Sequence, residues 1–359
     1  MSKQNELVQF SRGASGGGSK NIIVNGAMKI AQRSVSETGL GSADGYFTVD
    51  RFKIDVATAS AGRFTMSQHS DGPSGFANCI KLDCTTADTS IAAGERLILR
   101  HIIEGQDLQQ LKKGTSDAET FTVSFYVKGD AAATYSLSLY DGDNGRMISQ
   151  TFNVTTSWNR IELTFAGDTT GAFGDDNGAS LFLDIFLHAG TDYTSGTLQT
   201  SWGANANANR AVGISSFFDS TNREFYITGY QLEVNDTATD FEHENYATTL
   251  AKCQRYYYEI SGNNSLVGHG FYYGSSEIDV LVNFPVPMRT SPTLTSSNNT
   301  NDFVFQHYTD TFNTWNGIQY YNGDSLNMFV YSGVSGTGGQ AGMAKTNTST
   351  GKLQFSSEL

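Results

Sequence analysis

Between Asn21 and about Asn245 the chain repeats one arrangement: a run in which apolar and polar side chains alternate, followed by a turn dense in Gly, Asn and Asp. The runs include Tyr46–Val56, Glu95–Ile103, Thr120–Lys128, Tyr135–Tyr140, Trp158–Phe165, Ser180–Leu187 and Phe225–Val234. Alternation with period two is the pattern of a strand with one buried and one wet face. The intervening Asp141-Gly142-Asp143-Asn144-Gly145 and Gly174-Asp175-Asp176-Asn177-Gly178 carry the residues that tight turns require. No helix of crossover length separates the runs, which disfavours a parallel βαβ fold and predicts an all-β, antiparallel two-sheet sandwich of jelly-roll type. The abundance of Gly (38), Phe (23) and Tyr (17) suits strands and turns better than helices, which would draw on more Leu, Glu, Lys and Ala.

A chain of 359 residues is longer than one core usually serves, so two domains are expected. Residues 1–20, polar and ending in a Gly/Ser stretch, read as a flexible tail in which Leu7, Val8 and Phe10 form a short apolar docking segment for a larger particle. Residues 21–245 form the predicted jelly-roll sandwich. Over 246–260 the spacing of Ala247, Leu250, Cys253, Gln254 and Tyr257 predicts a short linking helix that runs into a strand. Residues 261–359 return to β texture, with short strands near 303–308, 317–321, 326–331 and 352–355, and form a smaller C-terminal β domain that would serve as a receptor-contacting tip.

With 36 acidic against 23 basic residues, the net charge of −13 repels a phosphate backbone, and no nucleic-acid partner is expected. Cys79, Cys84 and Cys253 are too few for a disulfide framework; they are expected to be buried free thiols, with Cys79 and Cys84 on opposite faces of one strand. Neither an apolar leader nor an 18-residue apolar run is present, so membrane insertion is not expected and assembly in a cytoplasm is.

Three passages resemble tail-fibre and related virion proteins of tailed bacteriophages. Asn21-Ile22-Ile23-Val24-Asn25-Gly26-Ala27-Met28-Lys29-Ile30-Ala31-Gln32-Arg33 with Asp50-Arg51-Phe52 is similar to the opening of such domains. Tyr230-Gln231-Leu232-Glu233-Val234 with Thr239-Asp240-Phe241-Glu242 is similar to their closing strand, although Asn235 stands where Gly is usual and Asp240 where Pro is common. Leu250-Ala251-Lys252-Cys253-Gln254-Arg255-Tyr256-Tyr257, with Phe284-Pro285-Val286-Pro287-Met288-Arg289-Thr290-Ser291-Pro292-Thr293 downstream, is similar to a signature found near the end of many fibres. The resemblance implies a carbohydrate-binding-module-like jelly roll on a virion, a homo-oligomer that is usually trimeric, contact with other virion proteins through the N-terminal tail, and attachment to a host surface glycan or protein. Related domains also occur in head fibres, so a decoration role on capsid or tail is the alternative, and a polysaccharide-degrading tailspike a weaker one.

No metal or nucleophile motif stands out, and the six histidines are scattered, so a non-enzymatic protein is expected. Asp175, Asp176 and Asp184 are the carboxylates a depolymerase could assemble. The turns at 141–145 and 174–178 could hold Ca²⁺ through oxygen ligands, but they lack EF-hand spacing, and no cofactor is otherwise implied. For glycan contact the richest stretch is 307–322, where Tyr308, Phe312, Trp315, Asn316, Tyr320 and Tyr321 combine rings with amides; Tyr256-Tyr257-Tyr258 and Tyr272-Tyr273 add further rings. The competing use of such rings is to fill a core or a subunit interface, as expected of Phe303, Phe305 and Tyr256.

Overall fold

The computed structural model describes residues 20–57, 60–297, 299, 301–307, 311–315, 317–321, 326–332 and 334–359; over 311–332 only the strands are described. In chain order the first strands are β1 (Ser36–Leu40), β2 (Gly45–Tyr46), β3 (Phe52–Ala57), β4 (Arg63–His69), β5 (Cys79–Thr86) and β6 (Arg96–Glu104). They are followed by β7 (Phe121–Gly129), β8 (Ala133–Asp141), β9 (Arg146–Val154), β10 (Asn159–Phe165) and β11 (Ala179–Ala189). The short helix α1 (Thr191–Thr194), β12 (Gly203–Ala204) and β13 (Glu224–Glu233) complete the unit. One sheet has the order β1-β4-β5-β13-β7-β10 and the other β12-β9-β8-β11-β6-β3-β2, with antiparallel pairing. The jelly-roll sandwich expected from the alternation is therefore what forms.

Period-two runs fill the space between the sheets. Phe121, Val123, Phe125 and Val127 of β7 face Leu181, Leu183, Ile185 and Leu187 of β11 within one core. Strand β13 keeps both halves of its run in that core by a bulge between Thr228 and Gln231, where Gly229 takes a φ of +63°. The extra residue shifts the phase, so Phe225 and Ile227 before it and Tyr230 and Leu232 after it all point inward. The expected single strand over 46–56 is broken instead. Arg51 turns with φ +74°, and Asp50 and Arg51 are buried as partners of other groups rather than continuing a ladder.

Helix α2 (Tyr246–Gln254) follows, ending before Tyr257, which starts β14 (Tyr257–Ser261). The helix buries Thr249 and Cys253. Two further sheets use β15 (Leu266–Tyr272), β16 (Ile278–Val282), β17 (Thr293–Ser296), β18 (Phe303–His307), β19 (Thr311–Trp315), β20 (Gly317–Tyr321), β21 (Leu326–Ser332), β22 (Ala341–Thr346) and β23 (Lys352–Ser356). Their orders are β14-β23-β17 and β19-β18-β22-β15-β16-β21-β20, over a second core around Tyr272, Phe303, Phe305 and Phe355. The three cysteines are free and buried; Cys84 faces the sandwich core, while the Cys79 thiol lies against the carbonyls of His69 and Asp71 on the other side of β5.

Candidate functional site

The residues that carry the resemblance converge on structural staples. Asn25, at φ +63°, accepts from the amides of Lys29 and Ile30 and donates to the carbonyls of Ile30 and Asp50, tying the opening turn to the start of β3. Asn21 accepts from the amides of Ile23 and Leu232, and the Glu233 carboxylate accepts from the amide and hydroxyl of Thr239, which locks the opening against the closing strand.

The remaining signature residues join the sandwich to the C-terminal sheets. Gln32 donates to both oxygens of Asp50 and to the Tyr257 carbonyl. Arg33 and Arg51 both pair with Glu358, and their guanidinium groups lie 3.6 Å over the Tyr257 ring and 3.4 Å over the Tyr256 ring, respectively. Arg255 grips both oxygens of the buried Glu104 at 3.0 and 2.8 Å, and the Tyr256 hydroxyl donates to the same carboxylate. Arg289 donates to the carbonyls of Ser357, Glu358 and Asn177. These residues leave little polar capacity for a ligand.

The aromatic candidates divide. Tyr256, 3% exposed, is buried as expected; Tyr257 and Tyr272, 2% and 0% exposed, are withdrawn from glycan contact, only Tyr273 of the Tyr272-Tyr273 pair is open, and Tyr258 packs on Phe284 and Phe355. Phe303 and Phe305 are core, as expected. Tyr308 and Asn316 lie outside the described residues, as do Leu7, Val8 and Phe10, while Phe312, Trp315, Tyr320 and Tyr321 belong to β19 and β20, whose side chains are not described. The two strands stand at opposite edges of the seven-stranded sheet order. Of the three carboxylates, Asp184 is fully buried on β11 with its oxygens held by Arg100 and Arg210, and although burial pushes its pKa up, the two guanidinium groups hold it below the ordinary value. Asp175 and Asp176 sit on an exposed turn at the far end of that strand, so no catalytic pair is formed with Asp184.

Among the described residues, a feature with the dimensions of a ligand site lies between residues 108–117 and 172–173 of the sandwich. It is a hollow of about 400 Å³ lined by Leu108, Gln109, Lys112, Lys113, Thr115, Asp117, Ala172 and Phe173, within the range of small-ligand sites. Leu108 and Phe173 line it from the core at 0% and 8% exposure, so they offer it little apolar surface. Thr115 donates to the Lys112 carbonyl and accepts from the Asp117 amide, which fixes the rim. The Gln109 amide donates to the carbonyls of Gly105 and Gly174, pinning one wall to the other. The Asp117 carboxylate is exposed and has no hydrogen-bond or ion-pair partner among the described residues, so it is free to accept from a ligand's hydroxyls. A narrower cleft with Trp202 and Glu119 on its walls shares Phe173 and Lys113 with the hollow.

Rigidity comes from below. Gly114 takes a φ of +82°, donates to the Asp168 carbonyl, and passes so close to residues 171 and 172 that a Cβ there would meet the Ala172 nitrogen at 2.6 Å. Beside it the Lys113 ammonium, whose side chain is 4% exposed, contacts Asp141 Oδ2 at 2.6 Å, Asp168 Oδ2 at 3.2 Å, and the carbonyls of Thr170 and Gly171 at 2.8 and 2.6 Å. Arg146 takes Asp168 from the other side at 2.7 and 3.0 Å. Burial raises the Asp168 pKa, but Arg146, the Thr170 amide and Lys113 outweigh it and hold the carboxyl below its usual range. Tested as a calcium site, the turn at 141–145 does not fit: Asp141 already accepts from the amides of Asp143 and Asn144 and from Lys113. No group of three or more metal-ligating side chains is found among the described residues. The signal that sequence reasoning missed is Lys112-Lys113-Gly114, a basic pair before a glycine facing acidic turns.

No protein-family model matches the chain, and no curated protein matches it. Among solved structures it is similar to one described as "CBM4 structure and function", at 13% identity over 60% of this chain and all of that one, with a TM-score of 0.31. It is also similar to the enzymatically active domain of bacteriophage CBA120 tailspike protein 4, at 10% identity over 60% of this chain and 22% of that one (TM-score 0.30). A third is the family 11 carbohydrate-binding module from Clostridium thermocellum in complex with a mixed-linked tetrasaccharide, at 10% identity over 58% of this chain and 99% of that one (TM-score 0.27). At these identities and TM-scores the likenesses say nothing of ligand or activity.

Proposed function

We propose that this chain is a bacteriophage virion fibre protein, most simply a tail fibre, that attaches the particle to a glycan on the host cell surface, as a binder and not an enzyme. The hollow between residues 108–117 and 172–173 carries the reading: it combines a volume of small-ligand size with the Asp117 carboxylate, exposed on a rim that Thr115 already fixes. Preorganised walls lose little entropy on binding, which is what a weak sugar site needs. Trp315, Phe312, Tyr320 and Tyr321 are the proposed contacts on the C-terminal sheets. A homotrimer is proposed, supported by Leu266, Phe271 and Leu281, exposed on the neighbouring strands β15 and β16; several copies convert weak sites into avidity of about 10²- to 10⁴-fold.

The test is binding of the full chain to host cells and to their purified surface polysaccharide. Asp117→Ala, at an exposed residue whose loss leaves the core intact, is expected to weaken binding about 10- to 100-fold, the worth of a charge-assisted hydrogen bond. Loss in Trp315→Ala but not in Asp117→Ala would move the contact to the C-terminal sheets. Absence of binding, with no block of phage adsorption, would favour decoration of the capsid or tail, and released reducing ends would revive the hydrolase.

A further inference from the structure

We propose that Asn177-Gly178 is a deamidation site latched by Arg289, so that its conversion records whether the sandwich and the C-terminal sheets have stayed joined. An asparagine before a glycine favours attack of the backbone on the side chain, because glycine puts no Cβ beside the attacking nitrogen. The Gly178 nitrogen, losing its proton to solvent, adds to the side-chain carbonyl carbon of Asn177, and the bond to the side-chain nitrogen breaks to release ammonia. Water then opens the five-membered imide at either carbonyl, leaving aspartate or isoaspartate. The sequence consumes one water, releases one ammonia and needs no oxidant or cofactor.

Asn177 is exposed on the turn before β11, so water reaches it. What restrains the reaction is a contact across the joint. Asn177 Nδ2 donates to the Arg289 carbonyl at 2.8 Å, and Arg289 Nη1 donates to the Asn177 carbonyl at 2.8 Å. Ring closure has to swing the carboxamide towards residue 178 and turn the peptide between them, and both movements break these bonds. Arg289 is anchored on the other side: its amide donates to the Arg255 carbonyl and its Nε to the Ser357 carbonyl. The neighbours of Asn177 are held within the sandwich, where the carbonyls of Asp176 and Gly178 accept from the amides of Gln106 and Gly105. Asn144-Gly145 is a second exposed pair, but the Asn144 amide donates to Asp141 and to the Ala172 carbonyl, both inside the sandwich. Asn25 of Asn25-Gly26 is 3% exposed, with its amide on the carbonyls of Ile30 and Asp50. The product at 177 cannot latch again, since a carboxylate has no N–H to offer the Arg289 carbonyl. Each conversion therefore weakens the joint for good, whatever the chain binds.

The test follows conversion at each Asn-Gly pair by peptide mass, with the full chain held in mildly alkaline buffer. In the natural protein Asn177 is expected to convert more slowly than in denaturant. Arg289→Ala is expected to speed conversion at Asn177 about fivefold, the factor one hydrogen bond is worth, and to leave Asn144 unchanged. Glu358→Gln weakens the joint without altering either Asn177 or Arg289, and is expected to speed Asn177 in the same sense. Asn177→Asp, which mimics one product, is expected to melt below the natural protein. An unchanged Asn177 rate in Arg289→Ala, equal acceleration at Asn144, or conversion of natural Asn177 as fast as in denaturant would each overturn the proposal. If Arg289→Ala does not fold, Glu358→Gln decides by the same criteria.

Discussion

Glu358→Gln tests the energetic weight of the joint between the sandwich and the C-terminal sheets. The Glu358 carboxylate is 7% exposed and pairs with Arg51, 1% exposed, and with Arg33, 12% exposed. Neutralising it leaves the Arg51 guanidinium buried, with the Ile102 carbonyl as its remaining hydrogen-bond acceptor and the Tyr256 ring beneath it. Removing one partner of a buried pair costs about 3–5 kcal/mol, because the other charge stays desolvated; the Arg33 contact, nearer solvent, adds at most about 1 kcal/mol. The expected result is a fall of that size in unfolding free energy by urea titration, read separately from a C-terminal and a sandwich tryptophan. Arg51→Met combined with Glu358→Gln should recover part of the loss, since an apolar pair carries no stranded charge. A change below about 1 kcal/mol with no coupling between the two substitutions would refute the view that this pair holds the joint.

Other outcomes follow from single residues. Burial pushes the Asp50 carboxyl up to about 6, against the opposing pull of Gln32 and Arg33; with its folded pKa above the unfolded one, the folded state binds the extra proton. Its contribution to stability therefore falls as pH rises from about 4 through 6, by about 3 kcal/mol in all. Asp50→Asn should flatten that part of a melting-temperature profile, and an unchanged slope would count against the assignment. Gly114→Ala forces a Cβ into the Ala172 backbone at an unfavourable φ, and is expected to lower stability by about 1–3 kcal/mol while weakening any ligand of the hollow more than Asp117→Ala does. Burial holds the Cys79 and Cys84 thiols up at about 11 and pushes that of Cys253 well above its ordinary value. A thiol reagent should therefore report almost no reaction in buffer and three thiols in denaturant; rapid labelling of the native chain would contradict this.

Alternation alone placed β6, β7, β8, β10, β11 and β13 to within two residues, because side-chain burial between two sheets is what writes that pattern; the shorter or outer strands β1, β2, β4, β9 and β12 were not among the runs it marked. The broken run at 46–56 and the bulge at Gly229 were not legible, since both answer to partners far along the chain. Arg51 is buried because of Glu358 and Ile102, and no local window contains either. In the same way Tyr257 adds to the rings available for sugar contact until the guanidinium group of Arg33 is seen to cover it, whereas Tyr256 is buried as expected, under that of Arg51. The hollow left only the trace Lys112-Lys113-Gly114 in the sequence: its lining comes from two loops whose residues are ordinary taken singly, and Lys113 becomes distinctive only when Asp141 and Asp168 are brought to it.

Strand β13 pairs with β5 on one side and β7 on the other, joining Ile227 to Ile80 and to Val127 in the middle of its sheet. Until residues 224–233 have left the ribosome, the six-stranded sheet exists as two unjoined pieces, each with an open edge. At about 5–20 residues per second of synthesis, the first half of the sandwich waits roughly 5–30 s for the strand that closes it. Such a long-range closure makes for slow folding and an aggregation-prone interval. An assembly line for this protein therefore has to keep nascent edges apart before it has anything to assemble.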